Sequence, residues 1–496
     1  MHRRQFLAKA AMLAAVTALP TTAARQLFAA AAPAELTDLG AIDLSRAIVQ
    51  KQVSCAEVMQ AYLQRIHRYN PVYNAIVGLV EDDLLMNQAR EADQALARGE
   101  YRGWMHGIPH AVKDLTPVAG LRYTSGSPLF ANRIADSDGS FVPRLRNAGA
   151  IFIGKTNSPE FGLGSQTYNP VFGPTASACN PELTAGGSSG GAGSGLGTRM
   201  LPVADGSDMM GSLRNPGAFN NVIGFRPSAD LMRDSGSTGL PLSTSGPMGR
   251  TTADTIQLLQ TMVPRQIDGT FSALPLRGLR IGWLGNLEGY LAMETGILEL
   301  CDSSLRTLEE AGAMVNPLMS RFSMTDLWQC WTTLRHSGRS SYRRYYDDPE
   351  SRKALKEELI WEIEQSMLLT EADVEAANKI REDWYQELER LFGQFDFLVL
   401  PSAQVFPYSK HLSWPRSIGT RDMDTYHRWM EVVIPGSLGG LPILNVPVGF
   451  DASGRPMGMQ IMGRYGDDKR VLEFGLAYEQ ITRHLQRRPE LTSASA

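Results

Sequence analysis

Cysteine is scarce in this chain. Its four cysteines, Cys55, Cys179, Cys301 and Cys330, are too scattered among 496 residues for a disulfide framework, and none forms a Cys-x-x-Cys pair. Basic charge is not in excess either: 48 Lys and Arg against 52 Asp and Glu give a formal charge of −4. A nucleic-acid surface needs clustered cations, so this balance argues against that class. Beyond the N-terminal region no segment is long and apolar enough to cross a bilayer. Repeats and low-complexity linkers are missing as well, and 43% hydrophobic against 20% charged residues is an ordinary globular balance.

Glycine, by contrast, is concentrated. Seven of the twelve residues from Gly186 to Gly197 are glycine, and a second small-residue turn runs Gly206-Ser-Asp-Met-Met-Gly-Ser212. Each glycine adds backbone entropy that folding must overcome, so such density points to tight turns or close approach to a ligand. Ser188, Ser189 and Ser212 are presented from this backbone. Serines on glycine loops with amide N–H groups nearby suggest a nucleophile and an oxyanion hole.

The N-terminus reads as a targeting segment. Arg3-Arg4-Gln-Phe6-Leu7 and Lys9 precede an apolar stretch from Ala10 to Leu19, then small residues from Ala29 to Ala34. The expectation is a signal peptide over residues 1–31, cleaved near 31–34, whose paired arginines resemble a twin-arginine signal for export to the periplasm or beyond. Cleavage would remove Arg3, Arg4, Lys9 and Arg25 and no acidic residue, taking the charge from −4 to −8. The soluble acidic product would have no membrane contact.

Residues 44–69 have helical apolar spacing, as do 82–98. Short apolar runs then alternate with helical stretches: Ile151–Ile153, Val222–Phe225, Leu279–Trp283, Phe397–Leu400 and Leu444–Val448. Strands separated by helices predict an α/β fold with a mixed sheet covered on both faces. Residues 321–392 read as a helical insertion, with a capping box at Thr370-Glu-Ala-Asp373 opening its last helix and Gly393 placed to stop it. One domain over 35–486 and a tail over 487–496 are expected.

Three local patterns suggest chemistry but lack its context. Gly149-Ala-Ile-Phe-Ile-Gly154-Lys155-Thr156 matches a phosphate-loop expression, yet its middle reads as a buried strand that cannot wrap an anion. Ser188 and Ser189 both satisfy G-x-S-x-G, but Asn180–Ala185 does not look like the strand that a nucleophile elbow requires. Its candidate partners His336, His411, His427 and His484 have no marked context. His106 and His110 are four apart, with Gly107 and Pro109 breaking any helix that could align them on a metal. A fourth pattern is dispersed. Gly107-Ile-Pro-His-Ala-Val-Lys113-Asp114 places a lysine after apolar residues, where desolvation favours its neutral, proton-accepting form. Ser188 lies between Lys113 and Ser212 in chain order, which permits a proton relay.

With Gly154–Gly162, Asn169–Pro174, Asp208–Arg214, Gly224–Ser228, Gly246–Arg250, Gly440–Pro442 and Gly458–Gly463 added, the chain resembles the amidase signature family of Ser-cisSer-Lys hydrolases over nearly all of residues 40–485. The resemblance implies Lys113 as base, Ser188 as the serine with the cis peptide bond and Ser212 as the acylated nucleophile. The implied oxyanion hole is the backbone of Met209, Met210, Gly211 and Ser212. Ser189 is expected to bond within its loop, Asp208 and Arg214 to form a scaffold ion pair, and Asp114 to support the Lys113 end of the site. The family usually has Gly-Gly-Ser where this chain has Met210-Gly211-Ser212, which adds a side chain beside the acyl pocket.

The expected reaction is hydrolysis of a linear carboxylic amide, with neither cofactor nor metal. The expected partner is a small-molecule amide; a homodimer stays open. Two alternatives are the glutaminase subunit of a tRNA-dependent amidotransferase and a non-catalytic binding protein on the same scaffold. Trp328, Trp331, Tyr342, Tyr345 and Tyr346 of the insertion read as core more than pocket, so the particular amide is not specified.

Overall fold

The computed structural model describes residues 33–233 and 240–494. The expected signal peptide, residues 1–31, lies outside them. Four of the predicted runs, at Val222–Phe225, Leu279–Trp283, Phe397–Leu400 and Leu444–Val448, fall in the central sheet, and Ile151–Ile153 falls in a second one. In spatial order the eight described strands of the central sheet are Met314–Pro317, Arg280–Trp283, Phe397–Pro401, Pro456–Met462, Ile443–Phe450, Ile223–Arg226, Thr244–Gly249 and Val203–Asp208. The first three pair in parallel and the remainder antiparallel, so the sheet is mixed.

Alternation along the central strand shows why both faces need cover, since successive side chains of a strand point to opposite sides. Asn445 lies against Gly217 of the helix Arg214–Phe219 and donates to Val222 O at 3.0 Å. Its neighbour Leu444 packs on Gly475 of the helix Asp468–Ile481. Buried on both sides, the strand reads as a continuous apolar run with one polar position.

A second sheet of three strands carries Ile76–Val77, Ile151–Thr156 and Pro109–Lys113. The phosphate-loop lookalike is therefore a strand, and Lys155, 1% exposed, donates to Thr116 O. Burial lowers the pKa of Lys155 to about 8 against the attraction of Asp114 and Asp205.

Three local expectations are corrected. The helix expected over 44–69 is two, Ala41–Val49 and Cys55–Tyr73. Lys51 adopts a left-handed φ of 56°, and Ser54 starts the second helix with a capping box to Glu57. Asn180–Thr184 is a strand after all, an edge of the two-stranded ribbon with Ala176–Ser177. Its polar sequence suits a half-exposed edge, which apolar patterning does not find. Gly393 does not end its helix, which runs Glu371–Gln394. The box at Thr370 and Asp373 does form.

The insertion is helical as predicted, with Met324–Ser337, Glu357–Leu368 and Glu371–Gln394 as its main helices. A satellite cluster of Leu163, Leu355, Leu359 and Ile363 docks it beside Phe161. Trp328 and Trp331 are core, and Tyr342, Tyr345 and Tyr346 pack on the satellite cluster.

Candidate active site

Three separate stretches deliver the predicted residues to one place. The strand Pro109–Lys113 ends on Lys113, registered against Thr156. The glycine loop carries Ser188 and Ser189 before the helix Gly190–Gly197. Ser212 sits in the turn between the strand Val203–Asp208 and the helix Arg214–Phe219. The peptide bond between Gly187 and Ser188 is cis. Glycine is required at 187 because a Cβ there would come within 2.8 Å of Gln166 N.

Lys113 is 1% exposed, and its Nζ lies 2.8 Å from Ser188 Oγ, 2.8 Å from Ser189 Oγ and 3.0 Å from Ser207 Oγ. No carboxylate stands at ion-pair distance among the described residues. Burial lowers its pKa to about 7, against the attraction of Asp205 and Asp208. Three hydroxyls can serve either form of the amine, accepting three N–H bonds from the ammonium or accepting two and donating one to the neutral lone pair. The lowered pKa leaves Lys113 poised to accept a proton near neutral pH.

Ser188, Ser207, Met209, Met210 and Ser212 line a cavity of about 100 Å³, closed on other sides by Phe161, Arg335, Arg339, Tyr426 and His427. The Ser212 hydroxyl has no protein partner among the described residues. Of the four expected oxyanion donors, Gly211 is a correction: its N–H donates to Asp208 Oδ1 at 2.9 Å. The N–H groups of Met209, Met210 and Ser212 have no protein acceptor among the described residues. Gly211 serves the turn instead. Its φ is +81°, and a Cβ there would meet Val433 at 3.0 Å. Met210 lines the cavity and is also part of the core, 5% exposed.

The flanking residues sort themselves by partner. Asp208 pairs with Arg214, both fully buried, as the scaffold reading expects. Ser189 is more than a loop brace, since it reaches Lys113. Asp114 is corrected: it accepts from Thr124 N at 3.1 Å and Gly126 N at 3.4 Å, and holds that loop near Lys155, not Lys113. His106 turns to Ala92 O at 2.9 Å and His110 to Asp205 at 3.0 Å, so the two rings serve different partners.

Sequence reasoning missed Ser207, Asp205 and the insertion's contribution. Asp205 accepts from Lys113 N at 3.2 Å as well as facing His110, which fixes the end of the lysine strand. Arg335 donates to Glu362 at 2.6 Å and to the Tyr426 hydroxyl at 2.7 Å. The four-residue spacing of Arg335 and Arg339 was the one available signal.

A buried lysine bonded to three serine hydroxyls thus stands beside a small cavity that Ser188, Ser207 and Ser212 all line. The Amidase family model matches residues 57–472. The chain is 30% identical to an acylamidase of Rhodococcus erythropolis, over 91% of this chain and 97% of that protein. It is 31% identical to a glutamyl-tRNA(Gln) amidotransferase subunit of Thermosynechococcus vestitus, over 90% of this chain and 99% of that protein. Among solved structures, a bacterial aryl acylamidase of the amidase signature family superposes with a TM-score of 0.82 at 25% identity, covering 90% of this chain and 98% of that one. The chain belongs to the amidase signature family, and is an amide hydrolase of that family.

Proposed function

We propose that this enzyme hydrolyses a linear carboxylic amide, R–CO–NH–R′, through an acyl-enzyme on Ser212. The observation that carries the reading is Lys113, buried and brought to a pKa of about 7 among Ser188, Ser189 and Ser207. Ser212 Oγ attacks the carbonyl carbon while its proton passes to Ser188, whose own proton goes to Lys113. Catalytic hydrogen bonds of this kind tighten once substrate is bound. The N–H groups of Met209, Met210 and Ser212 stabilise the oxyanion, a role worth roughly 10²–10³ in kcat per donor. Collapse of the tetrahedral intermediate breaks the C–N bond, and Lys113 returns the proton through Ser188 to the departing amine. Water then attacks the ester by the same route and releases the acid. A panel of small amides, with ammonia and amine detection, tests this: wild type turns over at least one member and Ser212→Ala none.

The likeness to the amidotransferase protein supports a second reading, a glutaminase that acts with partner chains. Ammonia release from glutamine only when such partners are added would favour it. The Arg3-Arg4 leader supports the hydrolase instead, because we read it as an export signal and tRNA-dependent amidation is cytoplasmic work.

A further inference from the structure

The helical insertion brings charge into the cavity that the acyl-transfer steps leave unused. Arg335 and Arg339 both line the cavity that holds Ser212. One carboxylate answers them. Glu362, fully buried, takes Arg335 Nε at 2.6 Å and bonds Arg339 Nε as well. Burial by itself would raise its pKa, but the two guanidiniums hold it well below the usual carboxylate range. Among the described residues two cations therefore face one anion. The other described acidic groups near the site are committed elsewhere: Asp208 to Arg214 and Arg226, Asp205 to His110, and Glu358 to Lys356.

The donors are underused as well. Arg335 gives Nη2 to the Tyr426 hydroxyl and Nη1 to the sulfur of Met209 at 3.1 Å. A thioether is a weak acceptor, and Met209 itself lines the cavity. The two Nη groups of Arg339 have no acceptor among the described residues. His427, 3% exposed, lines the same cavity with its Nε2 unpartnered, while Nδ1 faces the Thr425 hydroxyl at 2.7 Å. Burial, and then the charge of Arg335, keeps this ring neutral. A thioether in place of a proper acceptor, free guanidinium N–H groups and an orphaned imidazole nitrogen all leave room for one planar anion. A guanidinium matches a carboxylate in both charge and fork geometry.

We propose that the amides taken by this site carry a carboxylate on the same molecule, which Arg339 binds with Arg335 beside it. The proposal rests on the amidase reading and names its substrate class. The charged group positions the amide over Ser212, and the surplus positive charge disfavours cationic amides.

Two matched pairs of anilides test this. 4-Nitrosuccinanilic acid against 4-nitrobutyranilide puts the carboxylate on the acyl side; 4-acetamidobenzoic acid against acetanilide puts it on the amine side. The expected result is that one charged member exceeds its neutral match in kcat/KM by about tenfold or more, mainly through KM. The pair that shows the preference identifies the side. In Arg339→Gln the ratio falls toward one, and in Arg339→Lys part of it returns. A measurement on wild type alone covers a variant that does not fold: succinate competes with the preferred substrate at about a tenfold lower concentration than succinamide. Equal or better turnover of the neutral members in both pairs, or an undiminished ratio in Arg339→Gln, overturns the proposal while leaving the amidase reading intact. If no amide is cleaved and Ser212 takes no phosphonate label, the amidase reading fails and this proposal with it.

Discussion

Arg214 grips Asp208 through two hydrogen bonds, Nη2 to Oδ1 at 2.8 Å and Nε to Oδ2 at 3.0 Å, with Ser212 in the turn between them. The same carboxylate accepts from Gly211 N and Leu213 N, the two residues that flank the serine. Arg214 extends the brace to Val433 O, Gln460 and Ser437. The Ser212 turn is thus fastened to the central sheet through Asp208, which both Arg214 and Arg226 face.

Replacing Arg214 by methionine should cost about 3–5 kcal/mol, because Asp208 loses both hydrogen bonds from that guanidinium and keeps only Arg226, at 3.6 Å, as a charged partner in the interior. Urea unfolding should show a lower midpoint, and activity should fall with it. The pair also has a pH signature. Burial would raise the Asp208 pKa, but Arg214 and Arg226 bring it down to about 2, below the ordinary 3.8. Its stabilisation is fully present above pH 3.8 and is lost as pH falls through about 2. A wild-type stability curve that is flat across this range would contradict the assignment.

Activity should follow deprotonation of Lys113. The base works as the neutral amine, and burial sets its pKa at about 7 instead of 10.5. The kcat/KM profile should therefore fall as pH drops through about 7 and level off above it. A limb near 10.5 would mean that Lys113 is solvated and is not the base.

Met210 should show a double effect, being both core and cavity wall. Met210→Gly should lower stability by about 2–5 kcal/mol and raise kcat/KM for bulkier acyl groups relative to acetyl. The oxyanion donor is backbone and survives the change. A destabilised variant with an unaltered substrate ratio would show that the side chain is structural alone.

The site was legible where chemistry needs particular residues in a particular chain order. Ser188 and Ser212 stood out because glycine loops around serine have few other uses, whereas Lys113 reads locally as readily as a surface lysine and was singled out by the family resemblance. Ser207 escaped notice because a small polar residue suits an edge strand, which Val203–Asp208 is, and nothing in the local sequence shows that it faces a buried amine. Arg335, Arg339 and Glu362 could not be placed, since charges on helices are ordinarily solvated and only packing turns these inward. The strands at 223–226, 280–283, 397–401 and 443–450 came through because they are continuous apolar runs, whereas Val203–Asp208 and Thr244–Gly249 are rich in glycine and polar residues and were missed. The break between residues 49 and 55 was missed because the apolar period of the two helices continues across it, while Lys51 takes a conformation that no side-chain pattern announces.

Export should depend on the arginine pair itself. Arg3→Lys with Arg4→Lys keeps the positive charge that a general secretory signal needs, but removes what a twin-arginine translocase reads. The double variant should remain in the cytoplasm as intact precursor. Unchanged delivery to the periplasm would remove the twin-arginine assignment.

The central claim is that Ser212 is the acylated nucleophile. Treating the enzyme with a fluorophosphonate and mapping the adduct by peptide mass spectrometry tests it most directly. The account predicts a single adduct on Ser212, lost in Ser212→Ala together with all turnover. An adduct on Ser188 or Ser189, or activity that survives in Ser212→Ala, would contradict it.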